Sequence, residues 1–188
     1  MKHKNIAVFC GSSMGNDTIF EEKAEELALE LSSRDCNLVY GAGSRGIMGV
    51  FARVMKEKGR KVIGVTPKRF VKSNEEHPFE IDEYIVVDTM RERKAEMYKR
   101  ADAFVIFPGG TGTLDEMAEI ITLKNLGFTG KPIVILNLNG FYDGLIELFE
   151  AMRKEGFWKE KGAFTIVNTV EEVIKYLEET PAYKGSWE

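Results

Sequence analysis

Short runs of apolar residues alternate with longer amphipathic stretches along the whole chain. The runs are Ile6–Cys10, Asn37–Tyr40, Val62–Thr66, Tyr84–Asp88, Ala103–Phe107, Ile133–Asn137 and Thr165–Val167. Helical periodicity occupies the stretches near 18–34, 46–59, 90–101, 113–127, 141–156 and 170–179. In the first of these, Phe20, Ala24, Leu27 and Leu31 share one stripe. Runs that are apolar at consecutive positions, not at every second one, belong to strands covered on both faces, as in a parallel sheet. Right-handed crossovers then predict an α/β fold: a Rossmann-like doubly wound parallel sheet of about seven strands with helices on both faces. The chain has no repeat or linker, so residues 1–188 read as one nucleotide-binding domain. The segment 67–83 has no clear period and holds two of the five prolines, the pattern of a functional or mobile loop.

In a doubly wound sheet, ligands bind beyond the C-terminal strand ends, near the point where the winding reverses. Four candidate motifs fall at such ends: Gly11-Ser12-Ser13, the loop from Gly41 to Gly49, Thr89 to Lys94, and Pro108 to Glu116. The last, Pro108-Gly109-Gly110-Thr111-Gly112-Thr113-Leu114-Asp115-Glu116, carries the most chemistry. A buried strand feeds a glycine-rich turn, which feeds a helix N-terminus. Glycines let successive N–H groups converge, and the helix dipole adds partial positive charge, so the turn is an anion cradle suited to phosphate. Glu116 stands within a turn of that cradle, with Glu119 three residues further on the same helix face. A phosphate holder beside a carboxylate points to chemistry on a phosphorylated small molecule.

Each motif also has a plainer explanation. Gly41-Ala42-Gly43-Ser44-Arg45-Gly46 matches G-x-G-x-x-G, but it follows the second strand, and the next strand ends in Thr66-Pro67-Lys68-Arg69 without a ribose-binding carboxylate. That placement argues against a nicotinamide cofactor; a tight turn, with phosphate or sugar approaching Gly43, remains. Thr113 and Glu116 have capping-box spacing, as do Thr18/Glu21, Thr89/Glu92 and Thr169/Glu172, although only the first pair follows a Pro-Gly-Gly-x-Gly turn. Arg91-Glu92-Arg93-Lys94 reads either as a solvated helix start or as a ligand contact, because cations at a helix N-terminus oppose the dipole unless an anion is bound.

Composition narrows the classes. The 188 residues are 44% hydrophobic, and 26 basic against 30 acidic side chains leave a net charge of −4. That balance offers no general attraction to nucleic acid or to an anionic membrane. No apolar run approaches the roughly 20 residues of a membrane span. The N-terminus has no signal-peptide pattern, and Cys10 and Cys36 are too far apart for C-x-x-C, so a cytoplasmic protein with reduced thiols is expected. Two histidines, His3 and His77, without a cysteine cluster give no zinc pattern, and no metal is expected.

The turn Pro108–Glu116 fits P-G-G-x-G-T-x-x-E, and with Met90-Arg91-Glu92-Arg93-Lys94 upstream it resembles the LOG (LONELY GUY) family. These are cytokinin riboside 5′-monophosphate phosphoribohydrolases, long labelled lysine decarboxylase-like. The resemblance extends through Phe9–Ser13, Tyr40–Gly49, Gly64–Pro67 and Leu136–Leu145. It implies a Rossmann-like homodimer that hydrolyses the N-glycosidic bond of an adenine-type nucleoside 5′-monophosphate to free base and ribose 5-phosphate, without a cofactor. By motif position it makes Arg93 and Glu116 the catalytic pair. The nucleotide-binding positions are Gly11, Ser12, Ser13, Gly43, Met90, Lys94, Pro108, Gly109, Gly110, Thr111, Gly112 and Thr113, with Glu119 as an addition. The chain departs from the family pattern at Ala42, where Gly is usual, and at Leu123 and Asn125, where Trp and Gln are usual. Two rival readings stand beside it, a general AMP phosphoribohydrolase and a non-catalytic nucleotide-sensing module. A decarboxylase reading has no assignable Schiff-base lysine.

Overall fold

A computed structural model of the chain describes residues 1–71, 80–158 and 162–185. Seven strands, β1 (Asn5–Phe9), β2 (Asn37–Tyr40), β3 (Val62–Pro67), β4 (Glu83–Val87), β5 (Ala103–Ile106), β6 (Ile133–Leu136) and β7 (Thr165–Val167), form one parallel sheet in the order β4-β3-β2-β1-β5-β6-β7. Six α-helices lie among the described residues: α1 (Ile19–Ser33), α2 (Gly46–Glu57), α3 (Met90–Arg100), α4 (Thr111–Asn125), α5 (Asp143–Lys154) and α6 (Val170–Glu179). The periodic stretches therefore became the elements expected of them, and the doubly wound parallel sheet is present. Of the aperiodic stretch 67–83, residues 72–79, His77 included, lie outside the described residues.

Successive side chains of a strand point to opposite faces, and both faces are apolar here. Ile6 and Val8 join Leu27, Leu31, Phe51, Met55, Val173 and Leu177 on one side. Ala7 and Phe9 join Met97, Tyr98, Met117 and Ile120 on the other. β1 beyond Asn5 and the whole of β5 are thus buried, whereas β4, at the sheet edge, alternates between half-buried and exposed residues.

The chain winds outward from β1 to β4 and then returns across β1 to β5. Ile6 pairs with Leu38 on one side and with Ala103 on the other. The winding therefore reverses between β1 and β5, and the loops that leave their C-terminal ends open side by side. They are stitched together by Gly11 N–H donating to the Pro108 carbonyl, 3.2 Å.

Helix starts depart from the sequence reading at one functional place. The helix expected from Thr113 begins at Thr111, with Gly110 as N-cap and no side-chain cap hydrogen bond. Thr113 and Glu116 therefore do not form a capping box. Thr18 makes no side-chain cap bond either, whereas Thr89 caps Glu92, and Thr169 with Glu172 forms the full reciprocal box.

Candidate active site

Four strand ends and three helix N-termini converge on a cavity of about 420 Å³, within the roughly 300–1,000 Å³ usual for small-molecule sites. Its wall is built by Cys10 and Ser12 after β1, Gly41, Gly43 and Met48 after β2, and Thr66, Pro67 and Phe70 at the end of β3. Met90 and Arg93 of α3, and Gly110, Thr111, Gly112, Thr113 and Glu116 at the start of α4, complete it.

The N-termini of α2 and α4 are not equivalent. The first amides of α2 are already used: Ile47 N–H donates to the Ser13 carbonyl and Met48 N–H to the Gly11 carbonyl. At α4, the first return bond runs from Leu114 N–H to the Gly110 carbonyl. Among the described residues, no acceptor takes the N–H groups of Thr111, Gly112 and Thr113. An α-helix leaves its first amides unpaired, and here they border the cavity with the positive end of the dipole. These amides occupy the turn expected to cradle an anion, and the earlier helix start places that turn around Gly110–Thr113. Gly109 is needed behind it, since a Cβ there would lie 2.2 Å from Thr113 Oγ1 and 2.8 Å from the Gly11 nitrogen.

Glu116 lies five residues into α4, about 7.5 Å of rise from the cradle. Its carboxylate is buried, and Oε1 accepts a hydrogen bond from Arg93 Nη1 at 2.8 Å. Oε2 has no hydrogen-bond donor among the described residues. Burial pushes the Glu116 carboxyl above the usual carboxylate range; the Arg93 guanidinium opposes that push without cancelling it. A carboxylate whose pKa burial raises, beside a fixed cation and with one oxygen uncommitted, suits proton transfer and cation stabilisation. Cys10 faces the same space, but burial and the neighbouring Glu116 carboxylate push its thiol well up, so it stays a neutral wall.

Arg93 is fixed from three sides. Nε donates to the Val65 carbonyl at 3.1 Å, Nη1 holds Glu116, and the guanidinium lies against Gly41. A Cβ at position 41 would stand 1.6 Å from Nη2 and 2.7 Å from Cζ. Since the obstacle is the end of a long side chain, Gly41→Ala should fold normally and push the guanidinium off Glu116. We expect a loss of about a hundred-fold in turnover, the scale of a 1 Å misplacement, with a melting temperature close to wild type. Steady-state kinetics beside thermal denaturation checks both halves. The neighbouring Ala42 adopts a φ of 56°, in the left-handed region that favours Gly. This Cβ costs about 1 kcal/mol, and its packing is close, as a Cβ on Gly64 would lie 2.9 Å from it.

Of the residues singled out from sequence, the structure gathers Ser12, Gly43, Met90, Arg93, Gly110, Thr111, Gly112, Thr113 and Glu116 around the cavity. Gly11, Ser13, Pro108 and Gly109 form the loop framework behind it. Lys94 and Glu119 stand apart from the lining and pair with each other. Leu123 packs in the core on the α3/α4 side of the sheet, and neither it nor Asn125 lines the cavity. Sequence reasoning did not single out Cys10, Met48, Thr66, Pro67 or Phe70 as lining residues. Their common signal is position, since each follows or ends one of the first three strands.

A family profile described as "Possible lysine decarboxylase" matches residues 48–177. The chain is 42% identical over 195 residues to the Arabidopsis thaliana cytokinin riboside 5′-monophosphate phosphoribohydrolase LOG1, covering 100% of this chain and 91% of the relative. It is 40% identical over 186 residues to the Oryza sativa subsp. japonica cytokinin riboside 5′-monophosphate phosphoribohydrolase LOG, covering 97% of this chain and 76% of the relative. Among solved structures, the Moco carrier protein from Chlamydomonas reinhardtii superposes with a TM-score of 0.70 over 94% of this chain and 96% of that one. At 20% identity that likeness concerns the fold.

Proposed function

Because the chain belongs to the LOG phosphoribohydrolase family, we propose that its cavity hydrolyses the N-glycosidic bond of an adenine-type nucleoside 5′-monophosphate, releasing the free base and ribose 5-phosphate. The observation that carries the reading is the pairing of unclaimed α4 amides with a buried Arg93–Glu116 couple one and a half turns away. The 5′-phosphate sits on the N–H groups of Gly110–Thr113, helped by the Thr113 hydroxyl. Anchored there, the ribose extends along α4 and brings C1′ to Glu116, so remote binding energy orients the reacting centre. The base lies against the apolar arc of Met48, Pro67, Phe70 and Met90, which also accommodates an apolar substituent on the purine.

As the bond to the base breaks, oxocarbenium-like positive charge grows on the sugar. The Glu116 carboxylate stabilises that charge and takes a proton from the attacking water as its oxygen bonds to C1′, while the bonding pair leaves with the base nitrogen, which takes its proton from solvent. Arg93, always protonated, keeps Glu116 oriented and cannot itself act as base. A protein that only sensed nucleotides would have no use for a buried carboxylate beside the sugar. An AMP-general hydrolase would follow the same steps.

The same reading has the protein acting as a cytoplasmic homodimer. Exposed apolar side chains support pairing: Leu114 and Leu126 on and just beyond α4, Phe128 after them, and Leu148 and Met152 on α5. The cradle is tested by removing its ligand. kcat/KM for a nucleoside 5′-monophosphate should exceed that for the same nucleoside by about a hundred-fold or more, the worth of two charge-assisted hydrogen bonds. Equal rates on both would exclude the cradle as the phosphate site.

A further inference from the structure

Two consecutive cations of α3 reach different parts of α4. Arg93 enters the cavity, whereas Lys94 turns to the carboxylates on either side of Glu116. Lys94 Nζ lies 2.9 Å from Asp115 Oδ2 and pairs also with Glu119 Oε2. Lys94 is buried and does not line the cavity. One turn further along α3, the Tyr98 hydroxyl stands 3.3 Å from both the Glu116 carbonyl oxygen and Glu119 Oε2. The Tyr98 ring is itself fixed by edge contacts with Phe9 and Phe104. The backbone and both flanks of Glu116 are therefore gripped by one helix, through groups other than the Arg93 that meets its carboxylate.

We propose that Lys94 is a positioning residue: with Asp115, Glu119 and Tyr98 it locks α4 to α3 and holds Glu116 in register with Arg93, without touching the nucleotide. The proposal rests on the phosphoribohydrolase reading for its kinetic consequences and on geometry alone for its binding consequence. Three acidic side chains fall within two turns of α4 at positions 115, 116 and 119. Lys94 neutralises the outer two and prevents them from crowding Glu116 with uncompensated negative charge. The charged and titratable groups facing Glu116 are Arg93, Lys94 and Tyr98 from α3, Asp115 and Glu119 from its own helix, and Cys10 from the end of β1. Within that set Lys94 and Asp115 act on the Glu116 carboxyl in opposite directions, Lys94 favouring the ionised form.

The test compares Lys94→Met and Glu119→Gln with wild type by AMP calorimetry, steady-state kinetics and the pH dependence of kcat. Lys94→Met should lower kcat by about ten- to a hundred-fold and leave KM and the AMP Kd within about three-fold, since no nucleotide contact is lost. Losing a cation favours protonated Glu116, so the acid limb of kcat should move to higher pH; a merely structural strut would leave that limb in place. Glu119→Gln should lower kcat at unchanged AMP affinity without the upward move, and it supplies the same kinetic split should Lys94→Met not fold. Weakening of AMP binding by ten-fold or more in Lys94→Met, with kcat retained, would make Lys94 a substrate contact and overturn the proposal, as would kinetics identical to wild type. If wild type itself released no base, the hydrolase reading would fall, and AMP affinity in Lys94→Met would still decide whether Lys94 touches the nucleotide.

Discussion

Glu116→Gln is expected to lower kcat by about 10³-fold or more while the nucleotide Kd stays within about three-fold of wild type. The substitution keeps size and the acceptor oxygen toward Arg93 Nη1, so the 2.8 Å contact and the helix survive. What disappears is the negative charge facing the developing cation and the basic oxygen that takes a proton from water. Both act in the transition state and neither holds the ground-state phosphate, so the loss belongs in kcat. In wild type, burial holds the carboxyl above its ordinary value, and the base must be ionised. Activity should therefore fall on acidification, from a pH above the roughly 4.3 of a free glutamate. The Gln variant should lose that limb along with its rate. Turnover within ten-fold of wild type would take Glu116 out of the mechanism.

Arg93→Ala should damage more than the rate. Its guanidinium is mostly buried and holds the Val65 carbonyl and Glu116 together. Removing it strands Glu116 in a buried site, and breaking one partner of such a pair costs about 3–5 kcal/mol when the other stays charged. Glu116 escapes by taking up a proton, because burial, which already favours the neutral acid, is then unopposed by its strongest counter-charge. A protonated Glu116 is no base, so turnover at neutral pH should fall by about 10³-fold and recover in part as pH rises. Arg93→Lys should rescue little, because an ammonium cannot span both acceptors as the planar fork does. Wild-type stability and an unchanged pH profile for Arg93→Ala would contradict this coupling.

Buried parallel strands write themselves as unbroken apolar runs, and the architecture could be read from them. β2 and β7 have the bounds expected of their runs, β5 and β6 each end one residue sooner, and β3 runs one residue longer. β1 and β4 are each displaced by one residue toward the N-terminus. For β4 the reason is its place at the sheet edge, where burial alternates and the apolar run no longer marks the ends. The start of α4 was hidden for a different reason. Its cap is Gly110, which leaves no side-chain signature, while Thr113 and Glu116 happened to carry the spacing of a cap they do not form.

The polar half of the site was visible in the glycine turn, Arg93 and Glu116, since those residue types have few structural uses at a strand end. The apolar half was not. Met48, Pro67 and Phe70 have the composition of core residues, and only the sheet order brings separate loops to one cavity. Lys94 shows the opposite limit. Its motif position suggested a nucleotide contact, yet neighbouring helical positions diverge by about 100°, and its ammonium is held by Asp115 and Glu119.

The most direct measurement is product analysis after incubating the purified protein with AMP and with isopentenyladenosine 5′-monophosphate, with Glu116→Gln alongside. Wild type should release free base and ribose 5-phosphate in equal amounts, and the variant neither above background. Nucleotide bound by wild type without release of base from either substrate would contradict the hydrolase reading and leave a nucleotide-sensing protein.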